Sequence, residues 1–80
     1  MVGEASRVES ITRELSRYLS AYPNAADTLE GVALWWLSGN VSEAYLAEVH
    51  EALTRLVNGG EVTRRTMVDG TVIYERAGKA

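Results

Sequence analysis

Apolar residues recur at helical spacing in three stretches of this chain and alternate at strand spacing near its end. Val8, Ile11, Leu15, Tyr18, Leu19 and Tyr22 return every three or four residues, which predicts an amphipathic helix over about 4–21. Arg7, Glu9, Arg13, Glu14 and Arg17 occupy its other sides, with Glu9 and Arg13 in the favourable i,i+4 order. Pro23 ends it, because a proline pushes the residue before it, Tyr22, toward an extended conformation.

A second helix is predicted over about 27–37. Asp27 caps it while Glu30 reaches back from the third position, and Asn24 is a competing start one turn earlier. Leu29, Val32, Ala33, Trp36 and Leu37 form its apolar stripe. Ser38-Gly39-Asn40 stops it, with Gly39 free to take the left-handed conformation of a helix end. A third helix over about 42–58 starts on the cap Ser42 and stops at Gly59-Gly60. Tyr45, Leu46, Val49, Ala52, Leu53, Leu56 and Val57 share one face of it. The opposite face shows Glu43, Ala47, Glu48, Glu51, Thr54, Arg55 and Asn58, with His50 at the border.

Two short β-type runs around Asp69-Gly70 predict a hairpin over about 61–76. A two-residue turn there pairs Val68 with Thr71, Thr66 with Ile73 and Arg64 with Glu75. It sets Val62, Thr66 and Ile73 on one face and Met67, Val72 and Tyr74 on the other, so one face packs on the helices while the other stays half apolar. Residues 77–80 read as a frayed tail.

Eighty residues suit one domain, 1–80, with a small core and little room for a buried catalytic pocket. The chain has no cysteine, which excludes disulfides and thiolate chemistry and fits a reducing compartment. No basic, apolar leader and no membrane-length apolar run is visible, so a cytoplasmic location is expected, with no membrane partner. The net charge of −3 is unevenly spread. Residues 1–23 balance three arginines and three glutamates, whereas 24–60 hold Asp27, Glu30, Glu43, Glu48 and Glu51 against Arg55 alone. The end is slightly basic, with Arg64, Arg65, Arg76 and Lys79 against Glu61, Asp69 and Glu75.

Helix, helix, short turn, helix, Gly59-Gly60 and hairpin together resemble the winged helix-turn-helix superfamily over about residues 5–77. The stretch from Asp27-Thr28-Leu29-Glu30-Gly31 through Trp35-Trp36-Leu37 also looks like a pattern in small bacterial winged-helix proteins, a likeness that brings no biochemical role with it. The resemblance implies a mainly α fold of three helices and a C-terminal wing. It also implies a very short strand after the first helix, for which Ala21-Tyr22 is the candidate. In that superfamily the third helix usually enters the DNA major groove and the wing touches the backbone. Thr54, Arg55, Arg64 and Arg65 would then be the nucleic-acid contacts. The acids Glu43, Glu48 and Glu51 on the same helix face oppose that use, since they raise negative potential where phosphates would lie.

Adjacent helical residues point about 100° apart, so Trp35 and Trp36 cannot share one core. Trp36 lies on the stripe. Trp35 lies on a flank, with Leu34 nearly opposite the stripe, and the ordinary reading packs Trp35 beneath the first helix or the hairpin. The functional reading makes Leu34 and Trp35 an exposed anchor for a protein partner or a second copy of the chain. Gly31, inside the second helix, suggests a close approach by another backbone. A lone His50 without ligand partners, and serines without a neighbouring base, give no catalytic, metal or cofactor site. The expectation is therefore a non-enzymatic winged-helix interaction or adaptor module. A DNA-binding transcriptional regulator is the alternative.

Overall fold

α1 (Glu4–Ala21) places Val8, Ile11, Leu15 and Leu19 on one buried side, as the spacing predicts. The computed structural model describes residues 4–78, with side chains from Arg7 onward; Lys79 and Ala80 of the expected frayed tail lie outside them. After α1 come β1 (Ala26–Asp27) and α2 (Leu29–Gly31), which continues into a π-helical turn, Val32–Trp36. α3 (Glu43–Asn58), β2 (Val62–Thr66) and β3 (Val72–Arg76) complete the order. Among the described residues these are three helical segments and a three-stranded antiparallel sheet with strand order β1-β3-β2, consistent with a winged-helix layout. No described helix is long and apolar enough to cross a membrane.

The short strand falls later than expected, at Ala26–Asp27 rather than Ala21-Tyr22. The Tyr22 N–H still donates to Tyr18 O at 2.8 Å, and a turn closed by Ala25 N–H to Tyr22 O must follow before the chain can extend. β1 then pairs Ala26 with Glu75 and Asp27 with Tyr74. With Asp27 in that strand, Thr28 becomes the cap of α2: its hydroxyl accepts from the Gly31 N–H at 3.1 Å. Asp27 supports the cap from outside, accepting from the Thr28 N–H at 2.8 Å. The close approach at Gly31 is that same carboxylate, since a Cβ there would stand 1.9 Å from Asp27 Oδ1.

At the far end of α2 the Leu37 N–H reaches back to Val32 O at 3.1 Å, closing the π-helical turn. Ser38, not Gly39, takes the left-handed conformation, with φ of 55°. Gly39 is required for a different reason: a Cβ on it would lie 2.3 Å from the Tyr45 ring. Ser42 caps α3 as predicted, its hydroxyl accepting from the Tyr45 N–H at 3.2 Å.

The hairpin is one residue out of the expected register. Of Asp69 and Gly70 only Gly70 has positive φ, so the two-residue turn, which needs it at both positions, does not form. Instead Val68, Asp69 and Gly70 make a three-residue loop, closed by Gly70 N–H to Met67 O at 3.0 Å and Met67 N–H to Thr71 O at 2.7 Å. The Asp69 carboxylate holds the loop by accepting from the Thr71 N–H at 2.9 Å. The pairing becomes Thr66 with Val72, Arg65 with Ile73, Arg64 with Tyr74 and Thr63 with Glu75. Val62 therefore shares its face with Val72 and Tyr74, and it is Val62 and Tyr74 that are buried, while Ile73 moves to the other side with Arg65. Glu75 consequently pairs with Arg65, at 3.4 Å, and not with Arg64.

The core gathers around Leu15, Leu19, Val32, Val49 and Leu53, all fully buried. Trp36 is 8% exposed and stacks on Tyr18 with ring centroids 5.1 Å apart and planes within 10°. Trp36→Ala is expected to destabilise the chain by about 3–5 kcal/mol. Trp35→Ala is expected to change stability by no more than about 0.5 kcal/mol, the usual range for an exposed site. Thermal melts of the two variants check this; equal losses would contradict the burial of one ring and the exposure of the other.

Candidate interaction surface

Trp35 is 71% exposed and Leu34 36% exposed, one residue away from a tryptophan that is part of the core. The reading that packs Trp35 beneath the first helix or the hairpin does not hold. Trp36 is held inward by Tyr18, which in turn meets Tyr22 with centroids 4.7 Å apart. With that position fixed, the backbone of the π-helical turn carries Trp35 out to solvent.

The residues considered for nucleic acid do not converge. Arg55 donates to Glu51 of its own helix at 3.2 Å. Arg65 is paired with Glu75 on the outer side of the hairpin, whereas Arg64 lies on the opposite side, across from Tyr74. The Thr54 hydroxyl is turned back onto its own helix, donating to His50 O at 2.9 Å. Arg64 is exposed and holds no ion pair among the described residues.

One of the three opposing acids is also elsewhere than expected. Glu48 is half-buried between α1 and α3 and accepts from Arg7, whose Nε stands 2.8 Å away and whose Nη2 donates to the same oxygen. Periodicity along α3 alone placed Glu48 outward, and the partner that turns it inward comes from α1. Glu43 and Glu51 remain exposed. Beside the Arg7–Glu48 pair lies an open groove of about 620 Å³, lined by Ile11, Glu14, Ala44 and Tyr45 among others. Burial raises the Tyr45 phenol above its ordinary value of 10.0, and the Glu14 and Glu48 carboxylates raise it further.

Further exposed apolar residues stand on the hairpin loop, where Val68 is fully exposed and Met67 is 43% exposed. The sequence signal for them was the run Met67-Val68-Asp69-Gly70, which a two-residue turn reads as paired strand and a three-residue loop leaves in solvent. Among the described residues no group of three His, Cys, Asp or Glu is placed to hold a metal ion. The chain matches no protein-family model, no curated protein and no solved structure.

Because its phenol is raised, Tyr45 contributes stability that is complete below pH 10.0 and is lost as the pH climbs through its folded value. In an NMR titration the Tyr45 ring is expected to ionise above 10.0, and Glu14→Gln to bring the midpoint down without restoring the ordinary value, because burial is the larger cause. A Tyr45 midpoint at or below 10.0 would contradict the placement of this ring.

Proposed function

We propose that this chain is a non-enzymatic winged-helix module that binds protein through Leu34 and Trp35. The element order and the strand order β1-β3-β2 support the winged-helix reading. The observation that carries the interaction reading is Trp35, 71% exposed on a helix whose next residue is buried. Large exposed aromatic rings dominate binding hot spots, because they remove much apolar area from water while losing few rotamers. Against DNA, Arg55 and Arg65 already face carboxylates of their own chain, and Glu43 and Glu51 face the solvent from α3. The DNA-binding alternative keeps two observations in its favour. Glu48 is withdrawn from the solvent face of α3, and Arg64 is unpaired among the described residues.

Fluorescence anisotropy with mixed-sequence duplex at about 50 mM salt separates the two readings. The dissociation constant is expected to be weaker than about 10⁻⁴ M, below the usual nonspecific range. Micromolar affinity with a steep salt slope would reverse the preference.

The surface itself is tested by combining Leu34→Ser with Trp35→Ser. The double variant is expected to melt within about 1 kcal/mol of the parent, as solvent-facing changes do. It should lose either the self-association that sedimentation detects in the parent or the cross-links that a photoreactive group at exposed position 30, carried by parent and variant alike, makes in cells. A folded double variant that retains both would remove Leu34 and Trp35 as the anchor.

A further inference from the structure

β2 is an edge strand, with β3 on one side and, among the described residues, no strand on the other. The bonds of the hairpin fix which of its backbone groups point outward. Met67 N–H donates to Thr71 O at 2.7 Å and Ala77 N–H to Glu61 O at 2.9 Å, so Thr63 and Arg65, in phase with them, bond inward to β3. By the alternation of an antiparallel ladder, Val62, Arg64 and Thr66 turn their N–H and C=O groups to the open edge. Among the described residues none of these three finds a hydrogen-bond partner on that side.

Two cations stand on one face of this ladder. Arg64 lies opposite Tyr74 and Arg76 opposite Val62, which makes the two arginines diagonal neighbours. Both are exposed and neither is ion-paired among the described residues, whereas Arg7, Arg55 and Arg65 each hold a carboxylate. A second copy of the chain meets like charge at this edge in two of its short in-phase registers. Two β2 strands centred antiparallel set Arg64 against Arg64, and the next in-phase register toward the loop sets Arg65 against Arg65. A nucleic-acid backbone would satisfy the arginines but has no regular row of N–H donors for the outward carbonyls.

We propose that the open edge of β2 accepts an extended acidic segment of a partner protein as a fourth strand. Its backbone would bond to Val62, Arg64 and Thr66, and its carboxylates would face Arg64 and Arg76. This surface uses residues that the Leu34–Trp35 reading does not, so the two stand or fall separately.

The probe is a short capped peptide alternating glutamate with threonine and valine, titrated into the isotope-labelled full chain at low salt. Amide exchange is expected to slow at Val62, Arg64 and Thr66 while Thr63 and Arg65, already bonded to β3, stay unchanged. Arg64→Glu should weaken binding by about fivefold or more, since it turns an attraction into a repulsion. Thr66→Pro, which removes an outward N–H and leaves the inward ladder intact, should weaken it as well. The proposal would be overturned by no binding by this peptide, equal binding by its lysine counterpart, unchanged affinity in a folded Arg64→Glu chain, or protection confined to other elements. Preferential binding of a single-stranded oligonucleotide at Arg64 and Arg76, or slowed exchange at Val62, Arg64 and Thr66 that rises with protein concentration alone, would overturn it in favour of those occupants.

Discussion

The packing of α1 on α3 is the contact on which the remaining structure leans. Val8, Ile11, Leu15 and Leu19 meet a wall formed by Val49, Ala52, Leu53 and Leu56, and the smaller elements attach to its margins. The π-helical turn after α2 adds Val32, Ala33 and Trp36, while the sheet adds Val62 and Tyr74. Burying an aliphatic or aromatic side chain contributes roughly 1.5–3 kcal/mol, so a core this small depends on nearly every member. Trp36 holds the place against Tyr18, and Trp35, at the adjacent position of the turn, points to solvent.

Periodicity made the two long helices legible, since Pro23, Ser42 and Gly59-Gly60 act through local chemistry that needs no tertiary contact. It also separated Trp36 from Trp35, which is the part of the candidate site that the sequence could supply. The departures share a physical origin in competition between near-equal local options. Asp27 and Thr28 are both good caps, and pairing with Tyr74 recruits the first into a strand and leaves the second to cap. Asp69-Gly70 suits a two-residue turn by composition, but the bond from Asp69 to the Thr71 N–H stabilises a loop with only one left-handed residue. Gly39 reads as a helix terminator, yet its lack of a side chain serves the ring of Tyr45, six residues later. The inward turn of Glu48 was beyond any local pattern, because its partner Arg7 lies 41 positions away.

Charge is therefore distributed differently in space than along the chain. The sequence places a surplus of acid in the middle, but Arg7 crosses from α1 to neutralise part of it, and Glu75 and Glu51 neutralise two of the arginines. Exposed pairs of this kind contribute only about 0–1 kcal/mol each. Their larger effect is on what a partner meets: a carboxylate beside an arginine cancels much of its field within a Debye length, about 8 Å at physiological salt. The arginines whose field remains are those without such a neighbour, Arg64 and Arg76 among them.

The split between Trp35 and Trp36 gives the chain two optical reporters in adjacent positions. Trp36, enclosed and stacked on Tyr18, emits from an apolar setting and follows the integrity of the core. Trp35 emits from water and is open to soluble quenchers, so its light follows whatever covers the surface. Replacing Trp35 isolates the signal of Trp36, and Trp36→Phe, which keeps an aromatic ring against Tyr18, isolates that of Trp35, so folding and association become separately visible without an attached label.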